Sequence, residues 1–285
     1  EPEAEPLVLS RRTRVGLAEA LEDRRQEPCG DAIAGVPHVE LGHAVALHAA
    51  QMHRPPGGRE LDRVGEQVRH DLTDAFAIGD AMYLAYMSVS HWGDAGMWDA
   101  GYSGLAKSID QGQTWTQVEG VRWPGDSNFI QFATVQVREG GTDYVYIWAI
   151  PAGRFGGVAL MRVPATTDAV EDAGAYSYFT GTDASGSPKW SAQMDDAAIV
   201  LDGTIGEMSV MYSNYLERWL MTYSDGGSAY MREGLTPWGP WGDPLEIVSG
   251  TEYPGLYAPY MNPRYVSDDG RTVYFDLSQW GPYNV

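Results

Sequence analysis

The stretch Ser108-Ile-Asp110-Gln-Gly112-Gln-Thr114-Trp115 decides how the rest of the chain is interpreted. An aspartate in such a stretch accepts hydrogen bonds from the backbone N–H groups that follow it, which closes a tight turn. Gly112 permits a positive φ, and Trp115 offers a large apolar surface that can anchor the turn on a sheet. The stretch therefore predicts a rigid turn between two β-strands, in which Asp110 is structural.

The same stretch fits the pattern S-x-D-x-G-x-T-W, the Asp box, and resembles the hairpin that recurs in sialidase-like β-propellers. Degenerate relatives occur at Tyr223–Tyr230 (YSDGGSAY) and at Val266–Phe275 (VSDDGRTVYF). These stretches favour a propeller and say little about catalysis.

Short apolar runs surround the motif from Phe76 onward. They are rich in Val, Tyr, Trp and Met, often alternate with polar residues, and are too short for helices, so they predict an all-β fold: a sandwich, a barrel or a propeller. The strongest predicted strands are Ala81–Ser90, Phe129–Arg138, Tyr144–Ile150, Gly157–Val163, Met208–Ser213, Arg218–Ser224 and Thr272–Gln279.

The spacing of these runs predicts repeats. A propeller blade takes about 40–50 residues, and an insertion around Asp168–Ser187 accounts for the longest interval. The spacing predicts a five-bladed β-propeller with four blades in residues 76–285 and one blade incomplete or atypical. The predicted blade-opening segments lie near Asp80, Asn128, Gly206 and Ala258.

The first 75 residues differ in composition from the rest of the chain. All 17 Tyr, all 10 Trp and all 6 Phe follow residue 75, although about nine aromatic residues would be expected before it. His43 and His48 are spaced i, i+5, which does not align two metal ligands on one helical face, so we expect no metal site. We interpret residues 1–75 as an atypical segment, either disordered or misread, and residues 76–285 as the propeller domain.

The net charge of −20 excludes several partners. Phosphates would be repelled, so neither nucleic acid nor an anionic membrane surface is expected to bind. No run of 18 apolar residues occurs, so no membrane-spanning helix is predicted. A neutral sugar meets no such repulsion. We expect a monomer that needs no cofactor.

Eight stretches of the chain resemble one family closely. They are His91–Asp94, Arg122–Phe129, Ile150–Gly157, Gly206–Val210, Arg218–Tyr223, Thr236–Trp241, Tyr257–Pro263 and Leu277–Tyr283. They look like the domain-of-unknown-function family 4185, which is linked to glycoside hydrolase family 183, the endo-D-arabinanases of actinobacterial arabinan metabolism. The resemblance covers about residues 74–285. It implies a secreted or cell-envelope propeller that cleaves internal α-D-arabinofuranosyl linkages of arabinogalactan or lipoarabinomannan.

The N-terminal segment departs from that family. Early Gly-Thr-Asp-type, Gly-Asp-Thr-Phe and Trp-Arg-Ser-Asn motifs, typical of the family, do not occur in residues 1–75. The resemblance implies catalytic aspartates in that early region. The alternative is therefore a non-catalytic glycan-binding propeller, or an inactive fragment of such an enzyme.

Two carboxylates are the predicted catalytic pair. Glycosidases generally need one carboxyl group as acid and one as base or nucleophile. The inner strands of a propeller line its channel, and this position selects Glu207 and Asp126. For each, the alternative is a turn or strand-end acid bonded to backbone N–H groups. Asp94 and Asp99 are further candidates.

Predicted substrate-binding residues fall at segment ends or in glycine-rich loops. Aromatic rings stack on sugar faces, and polar side chains bond sugar hydroxyls. For the two tryptophans the alternative is packing between blades, and for the histidine a structural hydrogen bond. The candidates are His91, Trp92, Gln131, Arg154, Tyr260, Asn262 and Trp280.

Overall fold

Strands dominate the described chain. The computed structural model describes residues 11–16, 70–93, 97–154 and 156–279, with the backbone alone at 11–16, 70–72 and 154. The interpretation of residues 1–75 therefore falls largely outside the described residues, as do the predictions for Asp94 and Trp280. The chain divides into two compact units: residues 35–203, the first unit, and residues 1–34 with 204–285, the second unit.

Seventeen strands and short helical turns make up the described structure. The longest helical segment is α1 (Thr167–Val170), and 3₁₀ turns lie at Ala152–Arg154, Ala173–Ala175, Met194–Asp196 and Asp268–Gly270. The strands are β1 (Arg11–Gly16), β2 (His70–Ile78), β3 (Ala81–Trp92), β4 (Trp98–Ser108), β5 (Thr116–Pro124), β6 (Gln131–Glu139), β7 (Thr142–Ile150), β8 (Val158–Pro164), β9 (Ser177–Thr182), β10 (Pro188–Ser191), β11 (Ile199–Leu201), β12 (Met208–Ser213), β13 (Arg218–Asp225), β14 (Ser228–Gly234), β15 (Leu245–Val248), β16 (Leu256–Ser267) and β17 (Thr272–Gln279).

The first unit contains two antiparallel sheets. The first sheet has the order β2-β3-β4-β5, and the second has the order β10-β9-β8-β7-β6, with β11 also paired to β8. Alternating apolar residues of both sheets face each other and bury one core, which removes their apolar surface from water. Its large members include Phe76, Tyr83, Leu105, Trp123, Phe132, Ile147 and Met161.

Polar side chains join the first strands of these two sheets. The backbone N–H of Thr134 on β6 donates to the Asp74 carboxylate on β2 at 2.5 Å. Gln136 on β6 donates through Nε2 to the carbonyl of Ala77 at 2.5 Å. The seam between the two sheets therefore combines hydrogen bonds with the apolar core.

The second unit also contains two antiparallel sheets, ordered β12-β13-β14-β15 and β1-β17-β16. Their shared core includes Leu220, Met231, Val273 and Phe275. Ser209 on β12 exchanges hydrogen bonds with the backbone of Met261 on β16: its hydroxyl donates to the carbonyl at 3.3 Å and accepts the N–H at 3.1 Å. These bonds fix the register of β12 against β16.

The prediction of an all-β fold is confirmed, since all sheets are antiparallel and each of the seven predicted strands coincides with an observed one. The predicted insertion contains most of α1 and all of β9. The prediction that a repeat opens near Asp80 is wrong, because Asp80 lies in the turn between β2 and β3. Within the described ranges, no helix has the length and apolarity needed to cross a membrane.

Asp110 has the turn-forming role that the sequence predicts. Its carboxylate accepts hydrogen bonds from the Thr114 N–H at 2.9 Å, the Thr114 hydroxyl at 2.6 Å and the Ser108 hydroxyl at 2.7 Å. These donors lower the pKa of Asp110 to about 2, because each stabilises the charged form. Trp115 closes the turn by donating from Nε1 to the carbonyl of Gly112 at 3.0 Å.

Candidate functional site

Glu207 is a buried carboxylate in the second unit. It directly precedes β12, the first strand of its sheet, and keeps only 9% of its accessible surface. The Ser224 hydroxyl donates to Glu207 Oε2 at 2.8 Å, and Ser224 itself is 6% exposed. Burial of a carboxylate requires such compensating donors, so the position of Glu207 is determined by its hydrogen bonds.

The register of β12 and β13 explains why these two residues meet. Met208 pairs with Tyr223, so Glu207 and Ser224 face each other one position beyond the end of the ladder. Gly206 donates its N–H to the Ser224 carbonyl at 2.7 Å. A Cβ at position 206 would lie 2.4 Å from Ser224 Oγ and 2.5 Å from its carbonyl oxygen, so only glycine fits.

Two other predicted residues of the second unit lie on β16. Tyr260 is half-buried and precedes Met261, the residue that Ser209 ties to β12. Asn262 is half-buried, and its Oδ1 accepts the backbone N–H of Arg264 at 3.0 Å, beside an irregularity in the β16–β17 register. Tyr260 thus lies next to a residue that is bonded to β12, the strand that follows Glu207. The side chain of Asn262 instead bonds the backbone of its own strand, β16.

Asp126 in the first unit is exposed. It lies in the turn between β5 and β6, and its carboxylate accepts no hydrogen bond from a described residue. The preceding Gly125 donates its N–H to the Gly101 carbonyl at 3.1 Å. A Cβ on Gly125 would lie 1.9 Å from the Ala100 carbonyl oxygen, so the turn is pressed against β4. The backbone beside Asp126 is fixed while its side chain faces solvent.

His91 and Trp92 lie on a β-ribbon that extends past the first sheet. Residues 89–92 of β3 and 98–101 of β4 pair with each other beyond the last pairs that β2 and β5 make, and we call them the ribbon. His91 Nδ1 is 3.3 Å from Asp99 Oδ2, and both side chains are largely exposed. Trp92 is 50% exposed. The ribbon thus offers an aromatic face and polar groups to solvent.

Trp98, at the far end of the ribbon, packs the ribbon against the residue that precedes β6. Trp98, opposite Trp92, is 7% exposed and packs with Val89 and Ile130, against which Ala152 also lies. Ile130 precedes Gln131, the first residue of β6. The ribbon therefore lies beside the predicted residue Gln131 and beside the 3₁₀ turn that ends at Arg154.

Gln131 is 9% exposed, and its Oε1 has no hydrogen-bond donor in the described part of the chain. An unpaired buried oxygen costs about 1–3 kcal/mol, so a ligand hydroxyl that donates to it would recover free energy. The side chain of Arg154 and the whole of Trp280 lie outside the described residues. His91, Trp92, Gln131 and Asp126 thus all lie at the ribbon end of the sheets of the first unit.

Sequence reasoning missed two residues. Ser224 became recognisable only through the β12–β13 register, although counting the hairpin outward from its turn could have paired it with Glu207. Asp74 lies in the segment interpreted as atypical. Burial raises the pKa of Asp74 to about 6, although the Ala75 N–H and Thr134 N–H bonds oppose the rise.

Metal ligands are not clustered in the described part of the chain. No group of three or more His, Cys, Asp and Glu side chains there could hold a metal ion.

Sequence comparison assigns the family. The family described as "Domain of unknown function (DUF4185)" matches residues 65–285. The chain belongs to this family. No curated protein shows significant sequence similarity to it.

Solved structures show only distant likeness. An exo-beta-1,3-galactanase from Phanerochaete chrysosporium is 12% identical, with a TM-score of 0.45, over 71% of this chain and 44% of that one. An alpha-L-arabinofuranosidase from Lactobacillus brevis is 10% identical, with a TM-score of 0.39, over 74% and 66%. The GH43_1 enzyme from Xanthomonas citri, complexed with xylotriose, is 13% identical, with a TM-score of 0.30, over 75% and 88%. The chain spans less than half of the galactanase.

Proposed function

We propose that the chain is a glycoside hydrolase that cleaves internal α-D-arabinofuranosyl linkages of arabinan, with Glu207 as one of its two carboxylates. The observation that supports this most is the buried Glu207 just before β12, which accepts a hydrogen bond from the Ser224 hydroxyl. A carboxylate whose position is fixed before substrate arrives needs little reorganisation during the reaction.

Asp126 is the proposed second carboxylate. The fixed Gly125 backbone supports its location, and its exposure leaves it free to meet a substrate oxygen. A bound sugar would exclude water from the turn. In this proposal Asp126 is the residue that donates a proton to the glycosidic oxygen.

The proposed substrate is an uncharged furanose polymer. The net charge of −20 disfavours polyanions, and exposed Trp92 with the His91–Asp99 pair suits a sugar face and its hydroxyls. Arabinan is chosen because the motifs resemble the endo-D-arabinanases. In this proposal the four sheets are blades of a five-bladed propeller, and the protein is a secreted or cell-envelope monomer.

Hydrolysis of purified arabinogalactan tests the proposal, with released oligosaccharides separated by chromatography. We expect short arabino-oligosaccharides from the wild type and none from Glu207→Gln. Glu119→Gln is the matched control, because it removes the same charge from an exposed position on β5.

Binding without hydrolysis would contradict the enzymatic proposal and favour the glycan-binding alternative. Affinity electrophoresis in gels that contain arabinogalactan measures that binding directly. If folded protein neither binds arabinogalactan nor releases oligosaccharides from it, arabinan is excluded as the ligand.

A further inference from the structure

The side chain of Asn128 joins the two ends of the loop between β7 and β8. Its Nδ2 donates to the carbonyl of Ala149, near the end of β7, at 3.1 Å, and to the carbonyl of Gly157, just before β8, at 3.0 Å. A carboxamide nitrogen carries two hydrogens, and both have an acceptor here. The ladder of β7 and β8 ends at Ala149 and Ala159. The amide thus continues the connection between the two strands past the end of their ladder.

Other contacts hold the same loop in the first unit. Gly157 packs closely against β11, because a Cβ there would lie 2.5 Å from the Leu201 carbonyl oxygen. Ala152, near the start of the loop, packs against the apolar cluster that contains Trp98. The 3₁₀ turn of the loop then ends at Arg154. The beginning and the end of the loop are therefore both anchored, and Arg154 lies between the two anchors.

The backbone next to Asn128 is also fixed. The buried hydroxyl of Ser103 on β4 donates to the carbonyl of Phe129 at 2.5 Å. Asp126 lies two residues before Asn128, in the turn between β5 and β6. One side chain therefore connects the turn of Asp126 with the loop of Arg154, and both of these are predicted site residues.

We propose that Asn128 is a positioning residue, whose amide holds the β7–β8 loop against the turn of Asp126 and so places Arg154 for contact with the sugar chain. A side chain that binds substrate contributes more affinity when its loop is already ordered, because no ordering entropy is then lost on binding. The contribution of Asn128 to substrate binding rests on the proposed function, whereas its bonds to the loop do not.

Limited digestion with trypsin tests the ordering of the loop without any turnover. Trypsin cleaves after arginine only when the chain leaves its folded position, so the rate of cleavage after Arg154 reports on this loop. We expect Asn128→Ala to raise that rate about ten-fold, because two hydrogen bonds are lost. Cleavage after Arg162, inside β8, should keep its rate, because it requires the sheet to open. Fragment masses distinguish the two cleavages.

Gln136→Ala is the matched control, because it removes another side-chain amide that donates to a backbone carbonyl in the first unit. Its Tm should also fall, but cleavage after Arg154 should keep the wild-type rate. If Asn128→Ala does not fold, Asn128→Ser takes its place, since a serine side chain is too short to reach both carbonyls. An unchanged rate of cleavage after Arg154 in the Asn128 variant would overturn the inference.

Kinetics on arabinan tests whether Asn128 acts through Arg154. We expect Asn128→Ala and Arg154→Ala each to raise KM about ten-fold, and the double variant to raise it no further, because the second change removes a contact that is already lost. Gln136→Ala should leave KM unchanged. Effects that multiply in the double variant would overturn the positioning role. Faster cleavage after Arg154 in Asn128→Ala, with no hydrolysis of arabinan by the wild type, would support the ordering of the loop by Asn128 while contradicting the proposed function.

Discussion

Glu207 and Asp126 each follow a glycine that the backbone requires, yet their environments differ. Gly206 and Gly125 both donate an N–H to a carbonyl of a neighbouring strand, and neither leaves room for a Cβ. Glu207 then turns inward to the Ser224 hydroxyl, whereas Asp126 turns outward to solvent. The same backbone arrangement thus precedes two different carboxylates. The protein fixes the orientation of Glu207 through a hydrogen bond, whereas only a bound substrate could fix the orientation of Asp126.

This difference predicts unequal losses on neutralisation. A carboxylate that the fold organises contributes its full effect as soon as substrate binds. A carboxylate in solvent contributes only after the substrate has displaced water from it. The position of a carboxylate near a strand end is therefore a weaker indicator of a catalytic role than a buried hydrogen-bond donor that faces the carboxylate.

The largest effect is expected for Glu207→Gln. We expect kcat on arabinan to fall about 10⁴-fold, because the base or nucleophile is lost while the side-chain volume is kept. Initial-rate kinetics measures this, with Tm as the control for folding. A variant that keeps more than a tenth of wild-type kcat would remove Glu207 from the reaction.

A smaller loss is expected for Asp126→Asn, about 100-fold in kcat on arabinan. With an aryl arabinofuranoside whose phenol leaves easily, most of that loss should disappear, because such a leaving group needs no proton. Glu207→Gln should stay inactive on the same compound. If Asp126→Asn were less active than Glu207→Gln on both arabinan and the aryl arabinofuranoside, the proposed difference between the two carboxylates would be wrong.

Asp74 offers a third carboxylate, one with a structural role. Its pKa is raised from 3.8 to about 6 in the folded protein, so its protonated form favours folding. The contribution of Asp74 to the free energy of unfolding is full below pH 4 and is lost as the pH rises through 6, by at most about 3 kcal/mol. Partial exposure reduces that figure.

Chemical denaturation at pH 4, 5, 6 and 7 measures this contribution in the wild type and in Asp74→Asn. The difference in unfolding free energy, wild type minus variant, should decrease as the pH rises. A difference that stays constant across this range would show that Asp74 does not titrate there.

The smallest effect is expected on the ribbon. Trp92→Ala should raise KM for arabinan about ten-fold, because one stacked sugar ring is lost, and leave kcat unchanged. Ile109→Ala is the matched control: Ile109 is 77% exposed, and it lies at the opposite end of the same sheet. Equal KM values for the two variants would mean that Trp92 contacts no substrate.

Much of the fold follows from local sequence. Strands such as β7 and β13 could be predicted because apolar side chains recur densely between glycine and aspartate turns. β2 was harder, because His70–Ile78 contains no aromatic residue before Phe76 and the change in composition falls inside the strand. Asp74 was missed for the same reason, because it lies just before the change in composition at residue 75.

The candidate site could be predicted only in part. Glu207 was recognisable by its position before a strong strand. Its partner is seventeen residues away, so Ser224 can be paired with it only by counting the register of the two strands outward from their turn. The outward turn of Asp126 depends on how Gly125 packs against β4, which no local pattern encodes.

The pairing of β8 also bears on solubility. Its outer edge is shared: Val158 and Ala159 pair with β11, while Met161 and Arg162 pair with β9. The strands beyond β8 on this side of the sheet end in β10, four residues long and starting at a proline, and β11, only three residues long, whereas β6 forms the opposite edge. Short rims that contain proline resist the edge-to-edge pairing from which aggregates grow. The nine residues of β5, by contrast, rely on exposed charges such as Glu119 and Arg122, which makes β5 the edge to watch in concentrated samples.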